Sequence, residues 1–136
     1  MKVLLDTHAF LWWDYEAEKL SNNVMQIMQD DTTQVFLSQI SIWEMQIKYQ
    51  LGKLTLRLPL KSVIEEQQEN NHIQILSLAE AHIYGLANLP YHHRDPFDRL
   101  LISQAIIEDL LLITNDSNVI KYAVNNVEWH HAGMLR

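Results

Sequence analysis

An α/β sandwich built on a mostly parallel sheet is the fold class this sequence predicts, and three observations predict it. The runs Val3-Leu4-Leu5, Val35-Phe36-Leu37 and Leu110 to Ile113 are continuously apolar, the pattern of strands buried on both faces. Segments with helical spacing separate them, so strand and helix alternate along the chain. Two of the runs are followed at once by a carboxylate, Asp6 directly and Asp116 after a short polar turn. In an open α/β sheet the crevice beyond the carboxyl ends of the strands is where ligands and catalytic groups collect. The expectation is a three-layer α/β/α sandwich with four or five strands, formed by residues 1–136 as a single domain.

The elements follow in order. After Asp6, Ala9 to Trp13 is apolar and runs into a charged segment. Ser21 opens a helix with Val24, Ile27 and Met28 at i, i+3, i+4 spacing. Asp30 to Thr33 make a polar turn before the second strand. From Ser41 the period changes: Ile42, Met45, Ile47, Tyr49 and Leu51 predict a helix ending at Gly52, with Ser41 and Glu44 as N-cap and N3 of a capping box. Leu54 to Leu58 alternates and fits either a short strand or an extended loop before Pro59. A Glu- and Gln-rich helix is expected from about Leu60 to Asn70, and a third strand at Ile73, Ile75 and Leu76. Ser77 with Glu80 predicts a second capping box, for a helix through Ile83, Leu86 and Ala87 that stops before Pro90. Asp95 at N-cap, Pro96 at N1 and Asp98 at N3 start the next helix, which Leu100, Leu101, Ala105 and Ile106 carry to Asp109. After the strand at Leu110 to Ile113, Ser117 to Tyr122 predicts a last helix and Val127 to Trp129 an edge strand.

Composition narrows the chemistry. With no Cys there are no disulfides, thiolate metal sites or Cys nucleophiles. No apolar stretch approaches the ~18 residues needed to span a bilayer, and the N-terminus lacks the layout of a signal peptide, so a soluble, cytoplasmic protein without membrane contact is expected. The formal net charge of −7 argues against attraction of nucleic acid to the whole surface, though not against a local patch such as Lys48, Lys53, Arg57 and Lys61.

Asp6 and Asp116 follow buried strands, and Glu44 and Asp98 lie at helix starts that follow strands. All four therefore reach one edge of a parallel sheet from separate segments. Carboxylates so grouped repel one another and raise one another's pKa unless a cation lies between them. Oxygen-only donors point to Mg²⁺ or Mn²⁺, which lower the pKa of a bound water and stabilise a departing oxygen in phosphodiester hydrolysis. The bland alternatives are capping for Asp95, Glu44 and Asp98, and a turn for Asp116. His8, His92, His93, His130 and His131 fit no zinc spacing and are read as structural or surface residues. Trp12, Trp13, Trp43 and Trp129 are read as core or contact residues. Neither a GxSxG elbow nor a nucleotide-binding glycine motif is present.

The segments LLDTHAFLW (4–12), SIWEMQIKYQLGKL (41–54), HRDPFDRLLISQA (93–105) and LLITND (111–116) resemble those of PIN-domain proteins of the VapC type, ribonuclease toxins of toxin–antitoxin modules. The resemblance spans nearly the whole chain. It implies Asp6, Glu44, Asp98 and Asp116 as the acidic metal-binding and catalytic positions, with Thr7 and Thr114 in the adjacent polar shell. Asp95 competes with Asp98 for the third position, and Asp98 is chosen because it precedes LLISQA within the first turn. The implied activity is Mg²⁺- or Mn²⁺-dependent endonuclease cleavage of RNA, often structured RNA such as tRNA. Lys48, Lys53, Arg94 and Arg99 are the expected phosphate contacts. A small antitoxin that occludes the acidic pocket is the implied partner, and a homodimer the implied assembly. A second reading is a catalytically weak module that acts through an antitoxin complex. A third, a phosphotransfer domain, is weakened because Asp6-Thr7-His8 lacks the second Asp of a DxD motif and no acidic pair stands near the first strand.

Overall fold

The computed structural model describes residues 1–120, 122 and 127–129. Its strands are β1 (Lys2–Leu5), β2 (Gln34–Ser38), β3 (Gln74–Leu76), β4 (Leu111–Thr114) and β5 (Val127–Trp129). All pair in parallel in one five-stranded sheet of order β3-β2-β1-β4-β5. The chain builds outward from β1 through β2 to β3, then crosses back to lay β4 on the other side of β1. Strand order thus reverses between β1 and β4, where Leu5 lies beside Ile113. A crevice opens at the carboxyl ends of strands flanking such a reversal.

The helices are α1 (Thr7–Tyr15), α2 (Asn22–Gln29), α3 (Gln39–Gln50), α4 (Leu60–Asn71), α5 (Glu80–Tyr84), α6 (Pro96–Glu108) and α7 (Ser117–Ile120), with 3₁₀ turns at Ala17–Lys19 and Gly85–Asn88. Alternation along β1 divides them into two layers. Val3 and Leu5 pack with Phe10, Val24, Met45 and Val63 on one face of the sheet. Leu4 packs with Ile40, Leu101, Ile102 and Ala105 on the other. Each such fully buried side chain contributes roughly 1.5–3 kcal/mol, so the continuous apolar runs hold all three layers together.

The structure moves two predicted helix starts and settles one open choice. Helix α3 starts before Ser41: Ser38, the last residue of β2, is its N-cap and accepts from the Ile40 N–H at 3.0 Å. The Ser38 hydroxyl also donates to Gln104 Oε1 at 2.6 Å, a second anchor that fixes the cap at this position. Glu44 is consequently the sixth residue of α3 and no capping residue. Ser77 likewise does not cap α5; Ala79 holds the N-cap position and donates its N–H to His82 Nδ1 at 2.9 Å. Leu54 to Leu58 forms no strand. It is held instead by Arg57, which donates to Asp14 at 2.8 and 3.0 Å and to Glu66 at 2.5 and 3.3 Å. Arg57 is therefore a clamp between α1 and α4 rather than part of a free basic patch.

Candidate active site

The site begins where β1 stops. The Asp6 N–H donates to Ile113 O at 3.0 Å, extending the β1–β4 pairing by one bond. The next residues turn into α1, and Asp6 Oδ1 accepts the Ala9 N–H at 2.7 Å as that helix's N-cap. Asp6 also accepts from the Thr114 side chain across the strand-order reversal, which holds the carboxylate beyond the sheet edge. Thr114 in turn accepts the Asp116 N–H at 3.1 Å, so the turn after β4 closes on the same point. Asp116 accepts from the Asn118 N–H at 2.8 Å.

The first turn of α1 and the second turn of α3 meet through Thr7. Its hydroxyl donates to Glu44 Oε1 at 2.6 Å and pairs with the Ser41 hydroxyl at 3.1 Å. The other Glu44 oxygen accepts from Lys48 Nζ at 2.8 Å, one turn further along α3. Helix α6 contributes the fourth carboxylate. Asp95 is its exposed N-cap and accepts from the Phe97 and Asp98 N–H groups at 2.9 and 3.2 Å. Asp98, shielded from solvent, accepts at Oδ2 from His93 Nε2 at 3.1 Å.

Electrostatics tie these side chains into one group. Burial pushes the Asp6 carboxyl up to about 6, hydrogen bonds from Thr114 and Ala9 oppose the rise, and the charges of Asp116 and Glu44 add to it. Burial pushes Asp98 up to about 7, with Asp95, Asp116 and Asp6 adding to the rise and the His93 hydrogen bond opposing it. Lys48 is raised, first by its bond to Glu44 and further by the charges of Glu44, Asp95 and Asp98, with burial opposing. Asp6 therefore lies within electrostatic range of Glu44, Asp98 and Asp116, Asp98 also feels Asp116, and Asp95 faces Asp98 from the rim.

This donor set fits a hard divalent cation. It consists of oxygen atoms, carries negative charge beyond the Lys48 counter-charge, and raises two of its carboxyls well above the usual carboxylate range. Among the described residues no three His, Asp or Glu side chains close into a finished ligand cage. An ion that keeps several waters and takes only one or two carboxylates directly needs no such cage.

Of the expected phosphate contacts, Lys53 and Arg94 are exposed and Lys48 is half-buried beside Glu44. Arg99 is a correction. It is 5% exposed and donates to Pro90 O at 2.7 Å and Tyr122 Oη at 2.8 Å, with longer bonds to Leu86 O and Leu89 O. A guanidinium so enclosed organises the loop before α6 and does not reach a phosphate. Trp43 is 56% exposed rather than core. His130 and His131 lie outside the described residues, as does the Trp129 side chain. Sequence reasoning missed Ser41 and Tyr122, and read His93 as structural or surface. The available signal for His93 was its place two residues before the Asp95 cap, which obliges the chain entering α6 to pass Asp98.

A doubly wound parallel sheet with acidic side chains gathered at its strand-order reversal defines the class of protein. The particular family follows from comparison: residues 3–125 match the PIN domain, and the chain belongs to that family. It is 27% identical over 115 residues to Ribonuclease VapC22 of Mycobacterium tuberculosis, an alignment covering 84% of this chain and 86% of that protein. Its fold matches the crystal structure of VapBC2 from Rickettsia felis bound to a DNA fragment from their promoter, with a TM-score of 0.66 and 17% identity. That match covers 90% of this chain and 94% of the other. Among the described residues no helix is long and apolar enough to cross a membrane.

Proposed function

We propose that this chain, residues 1–136 acting as one domain, is a Mg²⁺- or Mn²⁺-dependent endoribonuclease and the toxin of a toxin–antitoxin pair. The observation that carries the reading is the convergence of Asp6, Glu44, Asp98 and Asp116 on the carboxyl edge of the sheet, with burial and mutual repulsion holding Asp6 and Asp98 partly protonated in the absence of a cation. Membership of the PIN domain family and likeness to a protein named a ribonuclease support RNA as the substrate. Structured RNA such as tRNA is the proposed class.

Asp6, Glu44, Asp98 and Asp116 would hold the ion, with Thr7 and Thr114 fixing the carboxylates of Glu44 and Asp6. The bound ion supplies Lewis-acid chemistry, lowering the pKa of a water and stabilising charge on the departing oxygen. The chain's own residues do the remainder. Thr7 and Lys48 hold the two oxygens of Glu44 in separate directions, so the side chain keeps one orientation. Lys53 and Arg94, exposed, meet backbone phosphates, and Lys48 adds positive charge beside the site. Asp95 is free to the solvent side and supports the first turn of α6.

The partner proposed is a small antitoxin that covers the acidic crevice, by analogy with the Rickettsia felis VapBC2 complex, and the assembly a homodimer in the cytoplasm. Cleavage of total cellular RNA by the purified chain, with Mg²⁺ or Mn²⁺ against EDTA, tests the reading. Discrete fragments that require the metal and vanish in Asp6→Asn and Asp116→Asn are expected. Full cleavage by those variants, or in EDTA, would overturn it.

A further inference from the structure

We propose that Arg99, Tyr122 and His93 form a one-way chain of hydrogen-bond donors that fixes His93 as its Nε2–H tautomer and aims that N–H at Asp98, making His93 a positioning residue for this carboxylate. The inference rests on the proposed nuclease reading for its consequence and on geometry alone for the chain itself.

The direction follows from which groups can only donate. A guanidinium has no acceptor, so at 2.8 Å from Arg99 the Tyr122 oxygen must accept. Tyr122 then has a single proton to give. That proton can go to the His93 carbonyl at 3.3 Å or to His93 Nδ1 at 2.8 Å, and the proposed chain gives it to the shorter contact. A neutral imidazole whose Nδ1 accepts carries its proton on Nε2. That nitrogen lies 3.1 Å from Asp98 Oδ2.

The chain is built into the fold rather than laid on its surface. Arg99 and Tyr122 are 5% and 1% exposed. Arg99 is held by the Pro90 carbonyl and stacks on Tyr91 at 4.1 Å, while His92 meets Tyr122 edge-on at 4.9 Å. The residues entering α6 thus wrap a buried cation whose donor direction passes outward through two further hydrogen bonds to one acidic side chain. The end torsion of an aspartate is broad and nearly twofold, so an unpartnered Asp98 would swing. A directed N–H on Oδ2 restricts it to one orientation, the task that outer partners perform for metal-ligating carboxylates.

The experiment reads tautomer and metal affinity separately, and neither requires RNA. Imidazole ¹⁵N spectra of the metal-free protein at about pH 8 are expected to show His93 protonated at Nε2 and accepting at Nδ1. The resonances are assigned by their loss in His93→Gln, and Tyr122→Phe should release the preference. A protonated Nδ1 in the wild type, or a Tyr122→Phe spectrum identical to wild type, overturns the donor chain. Mn²⁺ affinity is then compared in two variants of unchanged amide spectrum. His93→Asn keeps an acceptor near Nδ1 and loses the outer N–H, and should bind roughly tenfold more weakly; His93→Gln retains a donor near Nε2 and should stay close to wild type. Equal affinity in all three overturns the positioning role. Wild-type protein that binds no Mn²⁺ overturns the nuclease reading and the positioning role together, while the tautomer spectrum still decides the chain.

Discussion

Asp6 combines two roles that a substitution can separate. As N-cap of α1 it needs only an oxygen acceptor for the Ala9 N–H, which Asn also supplies. As a member of the acidic group it carries a charge that burial disfavours. Asp6→Asn should therefore abolish metal-dependent cleavage while stabilising the metal-free protein at pH 8 by on the order of 1–3 kcal/mol, read by urea unfolding. The pH dependence has a definite sign. Asp6 rises from 3.8 to about 6 and Asp98 to about 7 in the folded state, so the folded protein binds protons more tightly than the unfolded one. Stability of the metal-free protein should fall as pH rises from about 4 to about 7 and flatten above that. A urea midpoint that climbs over this interval would count against the burial of these carboxyls. Arg99 makes the complementary point: its charge is satisfied by carbonyls, a phenol and an aromatic face, so its place beside the acidic cluster gives it no access to phosphate.

Helix α3 is positioned differently at its two ends, and the difference is testable. At the C-terminal end Gly52, with φ +71°, follows the C-cap Leu51; its N–H reaches Tyr49 O at 3.1 Å and the Lys53 N–H reaches Lys48 O at 2.9 Å. This is the Schellman arrangement, which favours glycine because a Cβ is strained at positive φ. At the N-terminal end Ser38 joins the cap of α3 to the buried Gln104 of α6. Gly52→Ala should lower stability by about 1 kcal/mol and reduce cleavage less than Ser38→Ala does, since that turn carries the proposed phosphate contacts Lys48 and Lys53 but none of the acidic side chains. Ser38→Ala should cost about 1–2 kcal/mol, losing the cap and leaving Gln104 Oε1 without its donor. It should also reduce cleavage, because the end of α3 that sets Glu44 against Thr7 is loosened. Equal cleavage by the two variants would show that the N-terminal anchor does not position Glu44.

Across the whole molecule, the reversal of strand order between β1 and β4 is what brings separate segments together. Asp6 and the Thr114–Asp116 turn flank it, α1 enters from one layer and α6 from the other, and α3 packs against both through Met45 and Ile40. A cation held there, as proposed, would link both layers to the sheet edge and bind the folded state alone. Saturation of the metal-free protein with Mn²⁺ at a hundredfold excess over Kd should then add ~2.7 kcal/mol of stability and raise Tm by on the order of 10 °C. EDTA should reverse the rise and Asp116→Asn should remove most of it, as followed by thermal unfolding at pH 8. A Tm indifferent to Mn²⁺ would separate the acidic crevice from any metal function.

By itself the sequence determined the layers and the edge. The apolar runs at Val3 to Leu5, Val35 to Leu37 and Leu110 to Ile113 mark strands of a parallel sheet, Asp95-Pro96 starts a helix by its own cap chemistry, and Gly52 ends one, because each signal acts within about a turn of its own position. The placing of Asp6, Asp98 and Asp116 at one edge follows from strand ends and a helix start in a parallel sheet, whereas Glu44 reaches Thr7 from the second turn of α3. Only the tertiary structure decided which side chains meet: Thr7 with Glu44, Ser38 with Gln104, Arg57 with Asp14 and Glu66, Arg99 with Tyr122 and His93. Most of these pairs lie tens of residues apart, and their hydrogen bonds leave no periodicity in the chain. Ser41 therefore reads as a cap and Arg99 as a phosphate contact in the sequence alone: a residue's type states what it can bond, and packing states what stands within 3 Å of it.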